Sequence, residues 1–373
     1  MARVKILYIV NVDWFFISHR LPIAVEALKV GYEVHIACSV TDRAEFLEDL
    51  GFVVHPLNIS RSGVGVISEV KSICQLFKLI SNVKPQILHT ITIKPVLYAN
   101  LMARILKVPF RVSSISGLGY VFIASGLKSK SFRFMVSLLY RLALKKSNVV
   151  IFQNQEDARV LRLMGAVESC QEALIRGSGV DLTRFKVVPE PKNEFIVMLV
   201  ARLLIDKGVV EFVEAAKILK LSHPEIKFVL VGDIDVNNPK SITDSQLEKW
   251  VEEGIIQFWG FSNNISETMS KSNVIVLPSY REGLPKSLIE AAASGRAVIT
   301  TDVAGCRDAI EPNRTGLLVP VREVEPLVGA ILNLRSDDEL RLSFGRNGRE
   351  LAEKAFDINS VVKKHLEIYK RFN

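Results

Sequence analysis

The chain has 373 residues, 49% hydrophobic and 24% charged, with a formal net charge of +8. That length exceeds what one hydrophobic core organises, so two globular domains are expected. No apolar run reaches the roughly 20 residues that span a bilayer, and the opening strand-like run stops at Asn11 without a signal-peptide cleavage site, so the expected compartment is the cytoplasm.

Taken in chain order, apolar β-rich runs alternate with helical patterns, the signal for βαβ units and parallel sheets. Strands are predicted at 4–10, 33–38, 52–57, 86–90, 110–115 and 149–153, with helices near 20–30, 42–50, 66–82, 95–107, 131–146 and 155–164. A second series follows at 195–201, 226–232, 255–258, 274–278 and 297–301. Both halves read as doubly wound α/β domains. Pro189 and Pro191 suit an extended linker between them, giving domains at 1–187 and 188–356 and a terminal helix within 357–373. Ligands of open α/β sheets bind beyond the carboxyl ends of the strands, so two such domains facing one another would enclose a cleft.

Between Val70 and Gln155 there is no Asp or Glu but there are thirteen Lys or Arg, so the rest of the chain is net acidic. Such a confined positive region points to an anionic partner. Lys128, Lys130, Arg133 and Arg141 are interleaved with Phe132, Phe134, Met135, Leu138 and Leu139, as in an interfacial helix; inward packing of those apolar residues beneath a solvated basic face is the alternative. No RRM, KH, zinc-finger or helix-turn-helix signature supports nucleic acid as a partner. Cys38, Cys74, Cys170 and Cys306 form no CxxC pair and read as buried small apolar residues.

The most informative segment runs from Arg281 to Thr301. Glu290 lies in an otherwise apolar and small run, where an unpaired carboxylate is costly unless something takes its hydrogen bonds. A ligand hydroxyl is one such partner. Pro285 suits a first helical turn, Glu282 sits just before it, and a helix N-terminus attracts phosphate. Eight helical residues would put the two carboxylates roughly 12 Å apart along the axis, about the span between sugar and ribose in a folded nucleotide-sugar.

The Glu282-x7-Glu290 pattern resembles the signature of the retaining GT-B glycosyltransferases of the glycosyltransferase family 4 type (group 1). That resemblance implies two Rossmann-like domains across a cleft, with the last helix returning to the first. Glu282 would hold donor-sugar hydroxyls and Glu290 the ribose; Gly283 and Leu284, beside Glu282, are assigned to donor binding with them. Arg202 and Lys207, after the strand at 195–201, match the family's Arg-x4-Lys pair, which holds the phosphates and stabilises the leaving group. The bland reading of Lys207 is a helix-start residue paired with Asp206. Gly232, Phe258 and Ile265 stand at corners that flank the nucleotide in the family, and their side chains do not distinguish UDP from GDP or ADP. Taken singly, Gly232 and Gly260 also read as turn glycines.

On the first domain, Ser116, Gly117 and Gly119 resemble the family's acceptor-facing loop, with Ser116 where many members carry His. No general base is assigned, since the departing phosphate itself is thought to take the acceptor proton. The segment from Asp13 to Arg20 resembles that of bacterial N-acetylhexosaminyltransferases acting on undecaprenyl-diphosphate-linked saccharides. Its Trp14, Phe15 and Phe16 serve either the acceptor or plain core packing; His19 and Arg20 either contact phosphate or start the following helix. Asp233 and Asp235 show an Asp-x-Asp spacing, but the resemblance implies metal-independent transfer with no cofactor.

The expected protein is therefore a glycosyltransferase moving a sugar, foremost N-acetylhexosamine, from a UDP donor to a polyprenyl-diphosphate-linked saccharide at the inner face of the plasma membrane. A nucleotide-sugar 2-epimerase of the same fold is one rival, for which no acid–base pair is identified. A non-catalytic module binding anionic membrane is another, and it leaves the Glu282, Glu290, Arg202 and Lys207 set unexplained.

Overall fold

Apolar strands flanked by amphipathic helices dictate two separate parallel sheets, and a computed structural model shows both. It describes residues 3–58, 65–118, 127–236 and 238–372, with the backbone alone of Val66 and residues 127–133. The chain divides into one unit of residues 1–178 with 358–373 and a second of 179–357.

In the first unit the strands are β1 (Lys5–Val12), β2 (Glu33–Ser39), β3 (Val53–Pro56), β4 (Ile87–Ile91), β5 (Phe110–Ile115), β6 (Val149–Phe152) and β7 (Glu172–Leu174). They form one parallel sheet in the order β3-β2-β1-β4-β5-β6-β7. Six helices alternate with them: α1 (Asp13–Lys29), α2 (Ala44–Asp49), α3 (Val66–Val83), α4 (Ile93–Ile105), α5 (Leu127–Leu144) and α6 (Gln155–Leu163). Strands covered on both faces read as near-continuous apolar runs, which is why the sequence KILYIVNV marks β1 so plainly.

The second unit has β8 (Phe195–Val200), β9 (Ile226–Val231), β10 (Gln257–Phe258), β11 (Val274–Leu277), β12 (Ala297–Thr301) and β13 (Gly316–Val319), in the order β10-β9-β8-β11-β12-β13. Its helices are α7 (Val209–Ser222), α8 (Asp244–Glu252), α9 (Ile265–Ser270), α10 (Lys286–Ala293), α11 (Val324–Ser336) and α12 (Asp338–Ala355). The last helix, α13 (Ile358–Lys370), packs on α1 in the first unit. There Tyr369 Oη lies 3.0 Å from Tyr8 Oη and 2.7 Å from His89 Nδ1, all three residues buried.

Several expectations change. The division falls at 178/179, ahead of the expected 187/188, because the proline segment is built into the second unit. Buried Arg296 donates to the carbonyl oxygens of Val188 and Pro189, and Glu190 pairs with buried Arg341 at 2.8 Å. Phe185 joins that unit's apolar core. Helix α1 begins at Asp13, not near residue 20, since the Asp13 carboxylate accepts the N–H groups of Trp14 and Thr41, each at 2.7 Å. Cys38 and Cys306 are buried, but Cys74 and Cys170 lie on outward faces. Among the described side chains of that basic stretch, two cations leave the surface: Arg111 is buried, and Lys94 pairs with Glu69 at 2.6 Å.

Candidate active site

The strand order of the second unit reverses between β8 and β11, and the crevice beyond the carboxyl ends at such a reversal is where open α/β sheets bind ligands. Arg202 leaves β8, Lys207 closes a single 3₁₀ turn at Ile205–Lys207, and Glu282 sits in the loop after β11. All three stand at the reversal. Lys207 Nζ forms an ion pair with Glu282 Oε1, and Ser279 Oγ lies 2.8 Å from the same oxygen. Lys207 thus pairs with Glu282 and not with Asp206. Arg202 Nη1 donates to Asp235 Oδ2 at 2.6 Å, so Asp235 of the Asp-x-Asp spacing serves the arginine.

Glu282 is held by its main chain as well. Its N–H donates to Ala304 O at 3.2 Å, and a Cβ on Gly305 would come within 2.5 Å of Glu282 O. With Gly305 at φ +80, only glycine fits this approach. Thr301 at the end of β12 donates its hydroxyl to Ser279 O, tying the loop from below.

Glu290 is 8% exposed on α10, and Lys286 Nζ lies 3.5 Å from its Oε1. Burial raises its pKa, against the opposing charges of Lys286 and Arg184. The helix begins at Lys286 with Pro285 as its N-cap. Glu282 therefore lies outside the helix, and the axial spacing expected from eight helical residues does not apply. Leu284 packs into the apolar core with Leu288, which leaves its backbone, not its side chain, for a ligand. Gly283 is buried beside Gly305.

Gly232 has φ +140, and a side chain there would meet Ala201 O, so it serves the close approach of β9 to the end of β8. Phe258 lies half-exposed on edge strand β10, and Ile265 opens α9 against the core. The whole set (Arg202, Lys207, Gly232, Phe258, Ile265, Glu282, Gly283, Leu284, Glu290) belongs to one unit. Ser279, Lys286 and Gly305 were missed, and Asp235 was read only for its Asp-x-Asp spacing. Ser279 stands just past the end of the predicted strand at 274–278, a signal that would have found it; Gly305 lies further out in the loop after the strand at 297–301.

The expected acceptor residues fare differently. Arg20 is 2% exposed, its Nη1 donating to His19 O, and burial lowers its pKa to about 10. It is an interior residue whose pKa Tyr369 and Tyr8 push back up against that burial, which corrects the expected phosphate contact. His19 stacks on Phe15 with ring centroids 4.1 Å apart. Phe16 is fully buried and Trp14 is 36% exposed, so the aromatic triplet is divided between core and surface. Ser116 and Gly117 follow β5, and Gly119 lies outside the described residues. Ser116 Oγ, with Asn11 Oδ1 near the end of β1, is buried without a hydrogen-bond partner.

Residues 5–154 match the family described as Glycosyl transferase 4-like, and residues 181–351 that described as Glycosyl transferases group 1. An N,N'-diacetylbacillosaminyl-diphospho-undecaprenol alpha-1,3-N-acetylgalactosaminyltransferase of Campylobacter jejuni is 31% identical, over 95% of this chain and 98% of that protein. A UDP-Gal:alpha-D-GlcNAc-diphosphoundecaprenol alpha-1,3-galactosyltransferase of Escherichia coli is 26% identical, over 82% of this chain and 80% of that one. Among solved structures, sucrose-phosphate synthase of Thermosynechococcus elongatus superposes with a TM-score of 0.80 at 20% identity, covering 99% of each chain. Anabaena HepE, solved with UDP and glucose, gives 0.77 at 17% identity over 99% of this chain and 100% of that one. These two establish the fold, GT-B. Matched in both halves, and along nearly its whole length by the Campylobacter enzyme, the chain belongs to the group 1, family 4-type glycosyltransferases.

Proposed function

We propose that this glycosyltransferase moves an N-acetylhexosamine from a UDP-sugar to a polyprenyl-diphosphate-linked saccharide, with retention and without a metal ion or other cofactor. The observation that carries the reading is the meeting of Lys207 with Glu282 beside Arg202 at the β8/β11 reversal. Two cations there match a diphosphate, and two carboxylates, Glu282 and Glu290, match the hydroxyls of a sugar and a ribose.

In this reaction the bond from the sugar's anomeric carbon to the UDP oxygen breaks, and the acceptor oxygen bonds to the same face. The acceptor's proton passes to the departing phosphate. Arg202 and Lys207 stabilise the charge that develops on that phosphate, the electrostatic contribution that dominates when no strong nucleophile is present. Glu282 orients the donor sugar and Glu290 the ribose. The acceptor's nature is supported by the two undecaprenol-linked relatives, and the orphaned Asn11 and Ser116 polar atoms of the first unit suit its hydroxyl or amide groups.

A lipid-linked acceptor calls for a membrane-facing surface. On α5, Phe134 is 71% exposed and Met135, Leu138 and Leu142 are also exposed, as is Ile105 of α4. Arg104, Lys107, Arg141, Lys145 and Lys146 are exposed on the same two helices and the turns that follow them. An apolar face with cations and no acidic residue in that stretch favours an anionic leaflet. The side chains of Lys128, Lys130, Phe132 and Arg133 lie outside the described residues. Among the described residues, no helix is long and apolar enough to cross a membrane.

Mass spectrometry of products from a panel of UDP- and GDP-sugars with lipid-linked acceptors tests the reading. It predicts one added N-acetylhexosamine with a UDP donor, and epimerised free nucleotide-sugar without transfer would contradict it.

A further inference from the structure

Two segments carry Lys207 and Glu282, and they touch at more than that ion pair. The turn at Ile205–Lys207 leads through Gly208 into α7, and a Cβ on Gly208 would meet Pro278 O at 2.2 Å. Asp206 O accepts the N–H of Tyr280 at 2.9 Å and lies 2.9 Å from Ser279 Oγ. Beyond these, Tyr280 Oη donates to Glu211 Oε1 at 2.6 Å. Glu211 is 8% exposed in the first turn of α7, and its other carboxylate oxygen has no partner. The Arg322 guanidinium lies 4.5 Å over the Tyr280 ring.

Nothing in the proposed chemistry uses this pair. A buried carboxylate resting on one hydroxyl is costly, and its position at a helix N-terminus offsets only part of that cost. Tyr280 stands two residues before Glu282, and Glu211 four residues after Lys207. We propose that the Tyr280–Glu211 hydrogen bond is a positioning device that sets the separation of Lys207 from Glu282, and with it the fit of donor phosphate and sugar at transfer. It rests on the donor-site reading above. Burial, reinforced by the Glu211 charge, pushes the Tyr280 hydroxyl pKa up, so the donated proton stays in place across neutral pH.

The pair acts through Lys207 and Glu282, so its loss shows in turnover before donor affinity. The test is kcat and donor KM for Tyr280→Phe, Glu211→Ala, Glu211→Gln and the Tyr280→Phe/Glu211→Ala double variant. The probe is UDP-N-acetylgalactosamine, or the UDP-sugar the wild type turns over fastest, with thermal midpoints and free-UDP titrations alongside. Tyr280→Phe and Glu211→Ala should each lower kcat roughly 10- to 100-fold, the scale of an ångström-level misplacement, with donor KM changed less than about threefold. Glu211→Gln keeps an oxygen acceptor for the hydroxyl and should stay within about threefold of wild type, and the double variant should be no worse than the poorer single one. Should Tyr280→Phe fail to fold, the contrast between Glu211→Gln and Glu211→Ala carries the test. The inference is overturned if Tyr280→Phe keeps its kcat while only the thermal midpoint falls, if Glu211→Gln is as damaged as Glu211→Ala, or if the two single losses multiply. A wild type that neither binds UDP nor releases it from a UDP-sugar overturns the donor-site reading itself; an active wild type with an unimpaired Tyr280→Phe overturns only the positioning role.

Discussion

Lys207 and Glu282, 75 residues apart in sequence, form an ion pair where the sheet of the second unit reverses its strand order. On the proposed reading, a donor diphosphate entering there would compete with Glu282 for Lys207 and the donor sugar with Lys207 for Glu282, so that one substrate would replace an internal charge pair with two contacts of its own. Glu282→Ala should reduce transfer about 10- to 100-fold, the worth of a hydrogen bond to a charged group, roughly 1.5–3 kcal/mol. Circular dichroism and initial rates check this, and a folded Glu282→Ala variant at wild-type rate would reject the assignment.

Arg202 has its own internal partner, Asp235, at 2.6 Å. Arg202→Ala should weaken free-UDP binding and lower turnover, and Arg202→Lys should restore only part, since the planar fork is lost. Asp235→Asn removes the competing carboxylate and should leave UDP affinity unchanged or tighter. Calorimetric titration of UDP into the three variants reads all of this; undiminished affinity in Arg202→Ala would remove the phosphate role.

Glu290 supplies a pH dependence whose sign follows from its burial. Its pKa is raised, so on acidification it takes up a proton at a higher pH than an ordinary carboxylate of about 4.3. The ionised form, to which the proposed function assigns the ribose hydroxyls, is populated above that raised pKa and lost below it. UDP affinity should therefore fall on the acid side with an inflection above the ordinary range, and Glu290→Gln should lack that inflection. For stability the sign is opposite: the raised folded pKa favours the protonated state, so near neutral pH Glu290→Gln should hold or raise the thermal midpoint while impairing transfer. A lowered midpoint with normal transfer would contradict both.

The strands were legible because parallel strands covered on both faces must be apolar throughout, as in Phe195–Val200 and Val274–Leu277. Contacts between segments were not. The partners Arg202 and Asp235 lie 33 residues apart and Lys207 and Glu282 75, and no local spacing encodes either pair. The start of α1 depends on Thr41, 28 residues beyond Asp13. Pro189 and Pro191 carry the local signature of a linker, yet Arg296 and Arg341 bind that segment into the second unit. Arg20 was read as either a phosphate contact or the start of a helix from the resemblance of its segment; it lies instead inside α1, buried near Tyr8, Tyr369, His89 and His365 from distant parts of the chain.

The exposed apolar face of α5 predicts binding to anionic vesicles. Phe134→Ser with Leu138→Ser should abolish sedimentation with liposomes containing anionic lipid, and binding by the wild type should weaken with salt, since each Lys or Arg near the surface is worth about 1 kcal/mol. Transfer to a short-chain soluble acceptor should persist in this double variant. Wild-type protein left in the supernatant at low salt would remove the membrane role.

The most direct measurement is UDP release from a UDP-N-acetylhexosamine with and without a polyprenyl-diphosphate-linked saccharide, in wild type and in Lys207→Ala. Release should depend on the acceptor and fall at least about tenfold in Lys207→Ala, the scale of one lost charge-assisted contact. Release that ignores the acceptor, or survives unchanged without Lys207, would contradict it.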